Sequence, residues 1–205
     1  MKHKNSQKIQ DALRKKFINN GVNIVAPETV YFQKDTKIAK NVKIEPYVVF
    51  GEKVKVDKNT VIKSFSHLEN VKIGQNVSIG PFARLRPGTI IKSGSKIGNF
   101  VEVKQSNIGK NSKVNHLSYI GDTFIGNKVN IGAGTITCNY DGKNKYKTKI
   151  KNNVFVGSNT SLIAPVTLKD KSNIGAGSVI TKSVPKNTLA LTRSKQIEIK
   201  NYKRK

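Results

Sequence analysis

Histidine and cysteine are the side chains of this chain whose types most often carry chemistry, and they are few. The histidines are His3, His67 and His116, and the single cysteine is Cys138. A neutral imidazole accepts a proton near neutral pH because the ordinary pKa of histidine is about 6.5, so each histidine is a candidate general base. The spacing of the three does not suit a three-histidine zinc site, and we expect no metal. Cys138 has no evident partner base, so covalent catalysis is not expected.

Charge is the strongest feature of the composition. The 205 residues include 38 Lys and Arg against 12 Asp and Glu, which gives a net charge of +26. Two interpretations stay open: a solvated lysine-rich surface, or a surface that binds polyanions. Phosphate-bearing small molecules fit the second better than nucleic acid, because the lysines are dispersed and only eight Phe and six Tyr accompany them.

The expected location follows from what the sequence lacks. A lone cysteine rules out an internal disulfide and fits a reducing compartment. The sequence holds no apolar run of about 18 residues and no apolar signal core after Met1. We therefore expect a soluble, cytoplasmic protein with no membrane partner.

The elements that must position these residues follow from a short repeat. An aliphatic residue followed by a glycine returns at intervals of six, and Leu85, Ile91, Val103 and Val114 keep the same interval. A hexapeptide period predicts a parallel β-helix. The alternative, a β-sandwich, does not hold a six-residue phase over about 140 residues. The aliphatic–glycine pairs are Ile73-Gly74, Ile79-Gly80, Ile97-Gly98, Ile108-Gly109, Ile120-Gly121, Ile125-Gly126 and Ile131-Gly132.

The repeat predicts which side chains fill the interior. It runs from Ile38 to Ile180, or about eight coils of three six-residue faces. The interval between successive inward residues shortens from six to five before Ile73, Ile108 and Ile125. These one-residue slips indicate shortened corners. The glycines fit either a sharp turn or close packing on the next coil. The first inward residues are Ile44, Phe50, Val56, Ile62 and Leu68, and the small residues expected beside such positions include Val42, Thr60, Ala83, Ser95, Ser112 and Thr135.

The remaining segments set the predicted organisation. The sequence predicts a helix over residues 6–20 with an apolar stripe along one side. Ser6 is its predicted N-cap, and Gly21 is expected to end it. We predict a helical arm and lead-in at 1–30, an all-β left-handed parallel β-helix at 31–185, and a basic tail at 186–205. A polar stretch at 137–149 breaks the period and reads as an outward loop. The stripe consists of Ile9, Leu13 and Phe17.

Several long motifs resemble one bacterial family. They are similar to the acetyltransferase half of the bifunctional N-acetylglucosamine-1-phosphate uridylyltransferase/glucosamine-1-phosphate acetyltransferase. The resemblance implies a trimer with inter-subunit sites that transfers acetyl from acetyl-CoA to the amine of glucosamine-1-phosphate, on the route to UDP-N-acetylglucosamine and the cell envelope. The motifs are GPFARLRPG (80–88), GNFVEVK (98–104), NHLSYIGD (115–122), NIGAGTITCNYDGKNKYKT (130–148), GSNTSLIAPV (157–166) and LALTR (189–193).

The same resemblance implies roles for particular residues. His116 is the expected general base, and Glu102 is expected to orient its imidazole. Asn139 is expected to hold the amine or the thioester oxygen, and Ser158 to donate to the developing oxyanion. The implied contacts to the sugar phosphate are Arg86, Lys104, Tyr119, Asn130 and Lys145. The implied contacts to acetyl-CoA are Ala133, Asn139, Tyr140, Ser158, Ala176 and Arg193.

One part of the family pattern is missing from the sequence. No uridylyltransferase domain with its glycine-rich nucleotide loop and metal site is present, so neither uridylyl transfer nor magnesium is carried over. Because Met1 directly precedes the arm, a stand-alone acetyltransferase is favoured over a piece of a longer protein. Two alternative functions stay open: a hexapeptide acyltransferase on another amino-sugar or nucleotide sugar, and a non-catalytic scaffold that binds polyanions.

Overall fold

Very short strands separated by sharp corners make up most of the chain, because the hexapeptide repeat leaves only two to four residues for each face. A computed structural model describes the backbone of residues 2–204 and the side chains from residue 6 onward, so the side chain of His3 lies outside it. The strands stack into three parallel sheets, called here faces A, B and C, in a left-handed β-helix of about nine coils. The predicted fold class is confirmed.

Each coil contributes one strand to each face. Face A contains β1 (Asn23–Ile24), β4 (Lys43–Ile44), β7 (Val61–Ile62), β10 (Ser78–Ile79), β13 (Lys96–Asn99), β16 (Lys113–His116), β19 (Asn130–Ile131), β22 (Phe155–Val156), β25 (Asn173–Ile174) and β27 (Leu189–Ala190). Face B contains β2 (Tyr31–Phe32), β5 (Val49–Phe50), β8 (His67–Leu68), β11 (Arg84–Leu85), β14 (Glu102–Lys104), β17 (Tyr119–Gly121), β20 (Ile136–Cys138), β23 (Ser161–Ile163) and β26 (Val179–Ile180). Face C contains β3 (Lys37–Ile38), β6 (Lys55–Val56), β9 (Val71–Ile73), β12 (Thr89–Ile91), β15 (Asn107–Ile108), β18 (Thr123–Ile125), β21 (Thr148–Ile150) and β24 (Val166–Leu168).

The core is the stack of inward residues predicted from the period. Pairing is in register from coil to coil, so that Ile79 lies beside Ile97 and Leu85 beside Val103. The predicted inward aliphatics and the predicted small residues are all buried, none more than 4% exposed. One large and one small residue per face therefore fill the narrow triangular interior. The three one-residue slips all fall at the corner between faces B and C, where β9, β15 and β18 begin.

The β-helix extends beyond its predicted bounds at both ends. β1 already pairs with β4 near residue 23, and β27 pairs with β25 at residues 189–190. The outward loop is shorter than predicted, because β20 and β21 occupy its two ends. Thr137 and Thr148 are fully buried and serve as interior residues, so the loop proper spans 139–147.

Helix α1 (Lys2–Asn19) closes the open end of the first coil. The prediction that Ser6 caps it is wrong, because the helix already includes the residues before Ser6. Gln10 bonds both backbone groups of Phe32, at 2.8 and 2.9 Å, and the Arg14 Nε donates to the Val30 carbonyl at 3.1 Å. These two buried polar side chains satisfy backbone groups that have no preceding coil to pair with. No helix within residues 2–204 is long and apolar enough to cross a membrane.

The glycines that follow the aliphatics are needed for close packing between coils. A Cβ on Gly98 would lie 1.8 Å from the Asn115 carbonyl oxygen, and one on Gly109 would lie 2.1 Å from the Gly126 oxygen. Neither glycine has a positive φ. Of the two explanations left open by the sequence, close packing therefore applies at these positions.

We expect Gly98→Ala to destabilise the protein by about 3 kcal/mol, because the added methyl group meets backbone that cannot move without separating two coils. The melting temperature should fall by about 6–12 °C. The matched control is Gly175→Ala at the same position of face A, where the nearest atom is the Leu191 Cβ at 3.0 Å. Calorimetry of both variants measures the difference, and equal melting temperatures would contradict the packing argument.

Candidate active site

One predicted site residue from each of five successive coils lies on the edge between faces A and B. The backbone carbonyls of His116, Ala133 and Ser158 each accept a hydrogen bond from the residue at the turn of the next coil (Gly134, Asn159 and Gly177). The Ala176 carbonyl accepts from Arg193 Nη1 at 3.3 Å. The edge column consists of these five residues, which are His116, Ala133, Ser158, Ala176 and Arg193. In it, the predicted base lies in one row with four predicted acetyl-CoA contacts.

The imidazole of His116 is held by Asn99 in the coil before it. The two residues pair across β13 and β16, and His116 Nδ1 lies 2.6 Å from Asn99 Oδ1. An amide oxygen only accepts hydrogen bonds, so Nδ1 carries the proton and Nε2 of the neutral ring carries the lone pair. The side chain of His116 is exposed, so that lone pair is open to a ligand. This is the arrangement that a general base needs.

Glu102 forms no hydrogen bond or ion pair with His116. Its Oε1 accepts from Arg86 Nη1 at 2.8 Å, which forms an ion pair on face B. The same bond raises the pKa of Arg86 above its ordinary value. The geometry therefore places Glu102 beside a predicted phosphate contact, whereas Asn99 takes the position beside the imidazole that the resemblance implied for Glu102.

Three predicted sugar-phosphate contacts come together as a cation cluster, consisting of Arg86, Lys104 and Lys145. The neighbouring Lys145 ammonium lowers the pKa of Lys104 below its ordinary value, because two positive charges close together repel each other. Arg86 adds to that lowering, whereas Asp122 opposes it. Cations that repel one another at the surface form a site for an anion, since a bound phosphate would relieve the repulsion.

Tyr119 lies next to this cluster, and Asn130 does not. Tyr119 pairs with Glu102 in the sheet, and its hydroxyl lies over Gly121, where an added Cβ would come within 2.5 Å of the oxygen. An open groove of about 420 Å³ on face B is lined by Glu102, Tyr119 and the neighbouring coils. Asn130 stands on face A, in register with Lys113, and is not brought to the cluster.

The loop at 139–147 is an ordered hairpin that presents Lys145. Tyr140 and Lys145 form an antiparallel bridge, and the Tyr146 N–H donates to the Asn139 carbonyl at 2.8 Å. At the tip, Asp141 accepts hydrogen bonds from two backbone N–H groups (Asn144 and Lys143, at 2.6 and 2.8 Å), which lower the pKa of its carboxyl. At the root, the buried Asn139 donates its amide to Asp122.

Two functional candidates were missed by the sequence analysis, although both lie inside its quoted motifs. Asn99 stands in GNFVEVK and Asp122 ends NHLSYIGD. Asn99 fixes the tautomer of the imidazole, and Asp122 fixes the amide of Asn139. Their motifs were the available signal, but the partners lie 17 residues away, one coil along, and no local pattern reveals such a contact.

An apolar ridge continues the A–B edge below the edge column. It is a stack of exposed side chains, one from each coil, with ring centroids 4.8–5.2 Å apart where they are aromatic. The members are 46–60% exposed. All have a positive φ, which is unfavourable for bulky residues, whereas the later coils place Gly134, Asn159 and Gly177 there. The members are Tyr47, Phe65, Phe82, Phe100 and Leu117.

The side chains described for residues 6–204 include no group of three or more His, Cys, Asp or Glu residues that could hold a metal ion.

Comparisons with known proteins show what the chain is similar to. A model of the bacterial transferase hexapeptide (six repeats) matches residues 70–105 and 147–182. The chain is 54% identical over 188 residues to the bifunctional protein GlmU of Wolbachia pipientis wMel, covering 92% of this chain and 44% of that protein. It is 53% identical over 183 residues to the bifunctional protein GlmU of Bartonella quintana (strain Toulouse), covering 89% and 41%. The chain thus spans less than half the length of these curated relatives.

Two solved structures share the fold at low sequence identity. The UDP-N-acetylglucosamine acyltransferase LpxA from Bacteroides fragilis 9343 has a TM-score of 0.71 and 19% identity, covering 80% of this chain and 70% of that chain. LpxA from Acinetobacter baumannii has a TM-score of 0.63 and 20% identity, covering 83% and 71%. The chain carries bacterial transferase hexapeptide repeats. Its resemblance to the acetyltransferase half of the bifunctional GlmU family is confirmed.

Proposed function

We propose that the chain transfers an acetyl group from acetyl-CoA to the amine of glucosamine-1-phosphate, giving N-acetylglucosamine-1-phosphate. The observation that carries the proposal is the Asn99–His116 bond at 2.6 Å, which leaves Nε2 as the proton acceptor. The cation cluster on face B supplies a site for the sugar phosphate. The close similarity to GlmU proteins supports this substrate over other sugars.

The reaction needs one proton acceptor and one stabilised oxyanion. The substrate nitrogen attacks the thioester carbonyl and Nε2 of His116 takes the proton that the nitrogen sheds. The C–S bond then breaks with its electron pair on sulfur, which accepts that proton from His116 and leaves as the CoA thiol. Ser158, two coils along the edge column, is our candidate donor to the developing oxyanion. Asn139 donates one amide N–H to Asp122, and its oxygen is suited to hold the substrate amine, while its second N–H could hold the thioester oxygen.

Small residues along the edge column suit acetyl-CoA. Ala133, Ser158 and Ala176 have short side chains at successive coils, which leaves a shallow track for the pantetheine arm. Arg193 at the end of the column would contact a CoA phosphate, and the basic tail would add charge there. Tyr140 stands exposed on the hairpin beside Asn139 as a further contact. We assign Glu102 to the orientation of Arg86.

We propose that the working enzyme is a homotrimer, because one chain offers only one wall of this track. The edge column residues other than Ala133 are exposed. The apolar ridge runs directly into the column and keeps bulky side chains in an unfavourable backbone conformation. A second copy packed on the ridge would bury these side chains and cover the column.

The double variant Phe82→Asp/Phe100→Asp should break the trimer, because it introduces charge into the middle of the ridge. We expect it to sediment as a monomer of about 22.6 kDa and to lose at least tenfold in acetyl transfer. Phe124→Asp, an exposed phenylalanine on face C, is the matched control. Sedimentation and activity of both variants check the prediction, and a fully active monomer would contradict it.

The proposed activity is tested directly with purified protein, acetyl-CoA and glucosamine-1-phosphate, following the release of free thiol. The first alternative, an acyltransferase on a nucleotide sugar, predicts faster turnover of a UDP-amino-sugar. The second, a polyanion-binding scaffold, predicts no thiol release with any sugar and steeply salt-sensitive binding of nucleic acid. Because both proposed substrates are cytoplasmic metabolites, we propose that the protein works in the cytoplasm. We propose no uridylyl transfer for this chain.

A further inference from the structure

Lysines are concentrated on face C, away from the candidate active site. We count the outward-facing residues within each strand of face C and the residue that directly follows each strand. These positions carry seven lysines and one acidic residue, Asp57. The same positions of face A carry four lysines and Glu45, and those of face B carry three cations, two glutamates and Asp122. The face C lysines are Lys37, Lys55, Lys72, Lys92, Lys149, Lys151 and Lys169.

Three of these lysines stack directly on one another. Lys37 pairs with Lys55, and Lys55 pairs with Lys72, in consecutive strands. Like charges opposite one another destabilise a sheet. Among the side chains of residues 6–204 the ion pairs are Arg14–Asp11 and Arg86–Glu102, so none of the three is neutralised within the chain. The neighbouring Asp57 accepts instead from the Lys58 N–H at 2.8 Å.

Exposed apolar side chains lie beside the lysines on face C. An open depression of about 610 Å³ on this face is lined by lysines together with the half-buried Ile38 and the exposed Ile90. Further along the same row of outward positions, Ile90 is 39% and Phe124 44% exposed. The face therefore offers apolar side chains and positive charge together on a sheet of eight strands, roughly 34 Å long at about 4.8 Å per strand.

We propose that face C docks on the surface of an anionic lipid bilayer. The lysines would meet the lipid phosphates, and Ile90 and Phe124 would reach the boundary of the acyl chains. The expectation of no membrane partner rested on the lack of an apolar span, and peripheral docking needs no span. Docking through face C leaves the edge column on the A–B edge accessible to substrates.

A bilayer fits this face better than nucleic acid does. The outward positions of face C hold no arginine, the residue preferred for forked phosphate and base contacts. The lysine ladder from Lys37 to Lys72 has no exposed aromatic residue on which bases could stack. Nucleic acid would also leave the exposed Ile90 and Phe124 without an apolar partner.

The test is co-sedimentation with vesicles of phosphatidylcholine alone or with about one third phosphatidylglycerol, at about 0.1 M salt. The variant is Lys37→Gln/Lys55→Gln/Lys72→Gln. The matched control removes the same charge from face A, as Lys43→Gln/Lys96→Gln/Lys113→Gln. We expect the wild type to bind only the anionic vesicles, the face C variant to bind at least tenfold more weakly, and the face A variant to stay within about twofold.

Other outcomes would overturn the proposal. Equal weakening by both variants would mean that only net charge matters, and absence of wild-type binding to anionic vesicles would exclude the bilayer. Tighter binding to duplex or single-stranded DNA than to vesicles, lost in the face C variant, would make nucleic acid the partner. Unchanged melting temperatures exclude misfolding as the cause. None of these measurements needs acetyl transfer, so the proposed enzymatic function can fail independently.

Discussion

Replacing His116 with alanine is expected to lower kcat for acetyl transfer by about 10²–10⁴. The loss follows from the bond between Asn99 and Nδ1, which leaves Nε2 as the atom that takes the proton from the attacking amine. Because the imidazole is exposed and supports no buried contact, the melting temperature should stay unchanged. Initial rates of thiol release, at saturating acetyl-CoA and glucosamine-1-phosphate, measure the effect.

His67 provides a matched control within the same chain. It is an exposed histidine on face B, three coils before Tyr119 in the same row of outward positions. His67→Ala should leave kcat within about twofold of the wild type. Near-normal turnover by His116→Ala would exclude this residue as the base, and equal losses in the two variants would point to a general effect of histidine removal.

The fold was predictable because the interior of a hexapeptide coil admits few residue types. An inward position in a narrow triangle takes one aliphatic residue, and the position two residues before it takes a small one, as Ile44 and Val42 illustrate. The six-residue period of the sequence follows directly from this steric rule. The helix start near Ser6 carries no such constraint, since polar residues on an exposed helix are exchangeable, and the predicted N-cap there is wrong.

The pairings inside the candidate site were not predictable in the same way. The motifs indicated His116, Glu102 and Asn139, but which of them touch depends on how 17-residue coils align. In the structure Glu102 meets Arg86, whereas the imidazole meets Asn99. The period fixes each residue's coil and face. The choice between neighbours one coil apart is made by side-chain geometry, which a linear pattern does not contain.

Removing one ammonium from the cation cluster should weaken binding of the sugar phosphate specifically. We expect Lys104→Met to raise KM for glucosamine-1-phosphate by about 10–100-fold, because a hydrogen bond to a charged group contributes about 1.5–3 kcal/mol. KM for acetyl-CoA should not change, since the edge column is separate from the cluster. Lys96→Met, an exposed lysine on face A, is the matched control. Steady-state kinetics with each substrate varied in turn gives both constants.

The pH profile distinguishes a phosphate contact from a structural role for Lys104. Lys145 lowers the pKa of Lys104, so as pH rises Lys104 loses its charge earlier than an ordinary lysine would. Since phosphate binding requires the charged form, kcat/KM for the sugar phosphate should fall on the alkaline side, below the range where ordinary lysines titrate. Lys145→Met should shift this fall to higher pH, and Lys104→Met should abolish it. A fall that stays in place in both variants would mean that another group titrates, and that Lys104 does not hold the phosphate.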